Sequence, residues 1–275
     1  MIASCSSVSE EPQSTPDPVS AAVVTSTEQD VIEPTKTPDP TPTTKAQETV
    51  SVLPTPLETP LPPFQLCSPL SLHPLEELPE IVGDPYDPPR PGREERHHGI
   101  DFAYYHYEDR DSMLGEPVQV VVSGVAASVL KDLYPYGNML MVEIKRAEFP
   151  DETIESLEIA EGESLYVLYA HLFEPPLVEL GDRIDACQQI GEVGMSGNTD
   201  IPHLHFETRV GPEGQVFESM RFYDTRASQE ELDNYVLWRT SEVFRHFDPL
   251  KLFGYGSEEI EGSPVPEENP DSYPE

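Results

Sequence analysis

The chain predicts an all-β domain with one added helix, flanked by a long Pro/Thr-rich N-terminal linker and a short acidic tail. Three observations lead there. No aromatic residue occurs before Phe64, so a packed core cannot start earlier. Beyond that point several short runs alternate apolar and polar residues, or are apolar throughout, as strands do. Glycine, proline and aspartate separate these runs at turn-like intervals.

The segments follow in order. Residues 1–63 are rich in Pro, Thr, Ser and Glu, as in "EPTKTPDPTPTTKAQETV". Such a stretch cannot bury enough apolar surface to offset its ordering entropy and reads as a disordered, partly polyproline linker. A coil of that length spans roughly 40 Å by square-root scaling, which suits either a tether or a passive tail. "MIASC" lacks the basic and apolar regions of a signal peptide. It resembles the end of a bacterial lipoprotein signal, in which Cys5 carries lipid and Met1 lies inside a longer leader. The other reading is a chance cysteine in a disordered tail.

Residues 64–254 carry the domain. "NMLMVEIKR" (138–146) alternates, with Leu140, Val142 and Ile144 on one face. "SLYVLYAHL" (164–172) is apolar enough to be covered on both faces, and "HLHFETRV" (203–210) alternates again. After it, Ser228 and Glu231 fit a capping box, followed by an apolar stripe of Leu232, Tyr235 and Val236 through Trp238. This helix is expected on the domain edge. The tail, 255–275, is acidic, proline-rich and predicted to be disordered.

Composition excludes some functions. A formal net charge of -36 provides no basic field to displace counterions, which argues against nucleic acid as a partner. No stretch approaches the roughly 20 apolar residues of a membrane helix. Of the cysteines, Cys67 and Cys187 either pair in an oxidising compartment or remain buried thiols. Closing that loop would contribute about 4–5 kcal/mol in the chain-entropy model.

Eight histidines are present, and two stand on alternate residues of "PHLHFE". On a strand His203 and His205 share one face, about 7 Å apart, close enough to meet one small target such as a metal ion. Two half-buried strand histidines with ordinary partners are the plainer alternative. "RHHGID" places His97 and Asp101 either side of Gly99, which lets the backbone turn tightly. Imidazole and carboxylate are both zinc ligands, and a three-ligand site leaves a fourth position for water, as hydrolysis requires. The isolated cysteines argue against a closed structural site. In "LYAHL", Tyr169 and His171 are expected on one strand face. Without an H-E-x-x-H helix to supply a glutamate, spare histidines are the natural proton acceptors.

With "HHGID", "YAHL" and "HLHFE" in this order, the chain resembles the lysostaphin-type, LytM-like zinc metallopeptidases over about residues 92–253. "GEPVQVVVSGVA", "YGNMLMVEI", "LGDRIDACQQIGEVGMSGNTDIPHLHFE" and "FDPLKLFG" are similar to the family's intervening segments. The resemblance implies antiparallel sheets in a barrel-sandwich hybrid. It implies one zinc ion per chain held by His97, Asp101 and His205, with His203 as general base. Either His203 does that work alone or His171 shares it, and His171 would also steady the oxyanion. It assigns no role to His98, and it leaves Glu207 structural and His73, His106 and His246 as surface or packing residues.

There are departures: Cys187 stands where the family often has glycine, "AYYHYEDRDSML" is longer than usual, and 212–245 is extra. The implied activity is cleavage of a stem peptide or crossbridge of bacterial peptidoglycan, outside the cytoplasm, with membrane anchoring if Cys5 is lipidated. The alternatives are a non-catalytic module that binds or activates other wall hydrolases, marked by lost ligands, and a peptidase acting on a free protein or peptide.

Overall fold

The computed structural model describes residues 64–256. The expected linker over 1–63, Cys5, and all but the first two residues of the tail lie outside that range. Ten strands form in chain order. The first five are β1 (Val82–Asp84), β2 (Ile100–Phe102), β3 (Pro117–Gln119), β4 (Gly124–Leu133) and β5 (Gly137–Lys145). After helix α1 (Asp151–Ser156) come β6 (Glu163–Leu172), β7 (Arg183–Ile184), β8 (Gln189–Glu192) and β9 (Leu204–Pro212). Helix α2 (Gln229–Arg239) and β10 (Arg245–Phe247) complete the domain. Mostly β and antiparallel, this is the predicted class. The main sheet runs β1-β2-β9-β6-β5-β4-β7, with β10 also on β9, and β3 pairs with β8 in a second, two-stranded sheet.

Both faces of the main sheet are buried, for different reasons. Leu140, Val142 and Ile144 of β5 join Leu165, Val167 and Tyr169 of β6 and Phe206 of β9 in a core that also takes in Val118 and Ile190 of the small sheet. Period two sends Met139, Met141, Tyr166, Leu168 and Ala170 to the other side, where Phe217, Met220, Tyr235, Trp238 and Phe244 cover them. The covering residues come from the stretch that looked extra in the sequence.

The capping box of α2 is present. Ser228 Oγ accepts from the Glu231 N–H at 3.2 Å, and Glu231 Oε2 accepts from the Ser228 N–H at 2.8 Å. The helix lies against the face of the main sheet, with the Trp238 ring 6.5 Å from that of Tyr166 on central strand β6, and one expectation for it needs correction. Its packed side runs through Tyr235 and Trp238, three residues apart, whereas Val236 turns to solvent at 45 % exposure. Helix α1 was not foreseen; its signals are Pro150 at the N-cap and Asp151 and Glu152 in the first turn.

Cys67 and Cys187 form a disulfide, their Cα atoms 5.6 Å apart. Adjacent carbonyls bring them together: Cys67 N–H donates to Val121 O and Cys187 N–H to Val120 O, both at 2.8 Å. Cys187 has φ 61°, the left-handed region where glycine is easiest. That accounts for a position at which glycine would be expected. Among the described residues no helix is long and apolar enough to cross a membrane.

Candidate metal centre

Strand register builds the centre. Asp101 on β2 lies directly opposite His205 on β9, and Oδ1 of the first is 2.7 Å from Nδ1 of the second. His97 arrives from the turn before β2, where Arg96 takes φ 76°. Gly99 is required here by close approach rather than by a left-handed turn, since a Cβ would collide with the Phe206 carbonyl oxygen of β9. His97 Nε2 then sits 3.1 Å from Asp101 Oδ1 and 3.1 Å from His205 Nδ1.

The outer atoms of both imidazoles are engaged. His97 Nδ1 is 3.0 Å from the Pro85 carbonyl oxygen, to which it donates. His205 Nε2 is 3.0 Å from Glu207 Oε1, and a carboxylate there can only accept. With neutral rings, each therefore turns a lone pair toward Asp101. Three electron-rich atoms converging this closely suit a cation, and two nitrogens with one oxygen is a zinc-type donor set.

Electrostatics agree. Burial opposes a charge on His205, but hydrogen bonds with Asp101 and Glu207 outweigh it and push its pKa up to about 9. The surroundings thus favour positive charge at Nδ1, which a divalent ion would supply while displacing the proton. Burial also opposes ionisation of Asp101, yet hydrogen bonds from His205 and His97 hold its carboxyl well below the usual carboxylate range.

His171 and His203 complete the cleft, their rings 4.7 Å apart. His203 Nε2 is 3.5 Å from Asp101 Oδ2, and its Nδ1 is 3.0 Å from the Ile201 carbonyl oxygen. His171 Nδ1 donates to Ser196 O at 2.7 Å, which leaves Nε2 as the acceptor. Burial, then the nearby His205 and His203, lower its pKa to about 3, so the ring is neutral. Burial lowers that of His203 as well.

The expected shared face of Tyr169 and His171 does not hold. Across from β6, Asn138 pairs with Leu172 and Leu140 with Tyr169, so Met139 alone opposes Ala170 and His171. This bulge, with His171 at φ 63°, turns its imidazole into the cleft while Tyr169 remains in the opposite core, its hydroxyl accepting from the Val121 N–H at 3.0 Å.

All five residues singled out in the sequence line one cleft of 450 Å³. Of the other histidines, His98 is buried and accepts from Arg209 Nη2 at 3.0 Å, and Tyr86 bonds His246 at 2.6 Å. His73 is buried between Glu116 and Glu77, and His106 is exposed beside Asp111. Glu94, Tyr136, Tyr223, Tyr235 and Arg239 also line the cleft and were not anticipated. Nothing local distinguishes them in sequence.

An antiparallel β domain with a His–Asp–His cluster at the end of its central strands is the class defined so far. The model of Peptidase family M23 matches residues 95–217 of the chain. Among solved structures, it is similar to the catalytic domain of the prophage-encoded M23 protein EnpA from Enterococcus faecalis. The identity is 23%, over 57% of this chain and 88% of that one, with a TM-score of 0.33. The lysostaphin catalytic domain of Staphylococcus simulans is 26% identical over 50% of this chain and 86% of that one, with a TM-score of 0.35. A zinc-containing peptidase from Vibrio cholerae is 24% identical over 46% of this chain and 32% of its own, with a TM-score of 0.31. No curated protein matches the chain.

Proposed function

We propose that this protein is a zinc-dependent endopeptidase that cleaves peptide bonds of bacterial peptidoglycan, with one ion held by His97, Asp101 and His205. The observation that carries the reading is the convergence of His97 Nε2, Asp101 Oδ1 and His205 Nδ1 within 3.1 Å of one another, beside two further neutral histidines. The match of a peptidase family model to residues 95–217 supports it. When bound, zinc supplies Lewis acidity, polarising the scissile carbonyl and bringing the pKa of a water toward about 7.

The chain's own groups supply the proton chemistry. His203 has Nδ1 committed to Ile201 O, so Nε2 is free to accept the proton of the attacking water. His171 is held the same way by Ser196 O and can accept at Nε2. Only once protonated there can it donate to the developing oxyanion, which ties its two roles to one proton.

Wall peptide lies outside the cytoplasm, and the Cys67–Cys187 disulfide suits an oxidising compartment. A lipid on Cys5 with residues 6–63 as tether would hold the domain near its substrate. This anionic chain needs such a device, because charge alone would not draw it to acidic wall polymers.

The test is metal analysis of the purified protein together with mass spectrometry of digested peptidoglycan. One zinc per chain and new muropeptide ends, both lost with a chelator, are the expected results. A chain without bound metal that leaves peptidoglycan intact would instead be the non-catalytic binding module.

A further inference from the structure

One wall of the cleft is built by residues outside the matched segment: Glu94 before it, and Tyr223, Tyr235 and Arg239 after it. Arg239 ends α2 and is 12 % exposed. Its Nη1 donates to Glu207 Oε1 at 2.9 Å. That same oxygen accepts from His205 Nε2 and from the Tyr136 hydroxyl, each at 3.0 Å. Glu207 Oε2 is occupied by Arg209, through Nε at 3.0 Å and Nη2 at 2.7 Å. On its other edge Arg239 Nε lies 3.4 Å from Glu94 Oε1, which also accepts from the Tyr235 hydroxyl at 2.6 Å.

Glu207 is wholly buried, so its orientation is set by its donors and not by water. Arg209 fixes one oxygen from the neighbouring β9 position. The other must face His205 if that ring is to present Nδ1 to Asp101 and His97. Among the described residues Arg239 is the only arginine or lysine on that oxygen, and it comes from the added helix.

We propose that Arg239 is a positioning residue for the metal centre, holding Glu207 Oε1 against His205 Nε2 so that His205 Nδ1 points at the ion. The inference rests on the zinc reading above and extends it by a residue the family segment does not contain. It makes α2 part of the site's scaffold, because the residue that orients the ligand's partner also closes the substrate wall through Glu94. Partners behind a metal ligand are commonly worth about 10–100-fold in metal affinity.

The experiment measures zinc affinity by competition with a chromophoric chelator, and ligand geometry by the visible spectrum of the cobalt-loaded protein. Wild type is compared with Arg239→Met, Arg239→Lys and Phe244→Leu. The last loosens the packing of Trp238 without touching Glu207. Arg239→Met is expected to bind zinc about 10–100-fold more weakly with an altered cobalt spectrum, Arg239→Lys to recover part of the loss, and Phe244→Leu to match wild type. Wild-type affinity and spectrum in Arg239→Met overturn the proposal, as does an equal loss in Phe244→Leu, which would mean general loosening. If Arg239→Met does not fold, Arg239→Lys decides: wild-type values overturn, and a weakened site with a changed spectrum supports. A wild-type chain that binds no zinc overturns this inference together with the zinc reading, whereas a zinc-binding wild type with unaffected Arg239 variants overturns this inference alone.

Discussion

Asp101 and His205 stand opposite each other across the β2–β9 pair, Oδ1 2.7 Å from Nδ1, although 104 positions separate them in the chain. A slip of one residue in that pairing would turn His205 to the opposite face. The alternation of Leu204, Phe206 and Val210 into one core resists such a slip, so the packing of the sheet keeps the two groups together. The same register puts Ala170 of β6 on the far side of His205.

Ligand and base should separate experimentally. His205→Ala is expected to lose zinc and activity together, because it removes one of three donors. His171→Ala is expected to keep zinc and lose turnover by about 10²–10⁴-fold, the usual scale of a general base. Metal analysis and initial rates on the same preparations check both, and near-normal rates in His171→Ala would refute its role.

The second core should matter to the whole fold. Trp238 is fully buried against Tyr166, Phe217 and Phe244. Trp238→Ala should cost about 3–5 kcal/mol by lost transfer energy and cavity formation. Urea unfolding followed by circular dichroism would show it. A loss below about 1 kcal/mol, the scale of a surface substitution, would make α2 an appendage.

Acid should destabilise the metal-free protein through its neutral buried histidines. Burial, and next the Arg239 charge, lower His98 to about 3; burial and Arg209 lower His246 to about 4. Both lie below the usual value near 6.5, so the unfolded chain binds these protons first. Stability is therefore expected to fall as pH drops from about 6.5 toward 4. His73 and His205 are raised, hence protonated throughout that window, and add no slope there. Urea midpoints between neutral and acid pH test this, and His246→Gln should flatten the decline.

Opening the disulfide should be costly as well. Its partners are 120 residues apart, and a loop of that length corresponds to about 4–5 kcal/mol. Cys187→Ser, or reduction, is expected to lower the unfolding midpoint without removing zinc, since neither cysteine lines the cleft. Loss of zinc on reduction would contradict this.

Much of this was legible in the residues. Alternation in 138–146 and 203–210 places the core faces of β5 and β9 as found. Ser228 and Glu231 announced the start of α2. The motifs "HHGID", "YAHL" and "HLHFE" singled out five side chains that the fold brings into one cleft. The misplaced features have a common character. An unbroken period of two places Tyr169 and His171 on one face, and a bulge interrupts it. The apolar stripe of helix α2 says which side is buried but not what buries it.

By itself the sequence determined the strands over 138–146, 164–172 and 203–210 and the helix cap, because these follow from side-chain period and neighbours a few residues away. The candidate donors were implied by the resemblance of three motifs to a known family. Only the tertiary structure decided the pairing of Cys67 with Cys187, the turn of His171 into the cleft and the grip of Arg239 on Glu207. Each of these depends on register and contact between segments distant in the chain, where no local pattern of residues carries the distance.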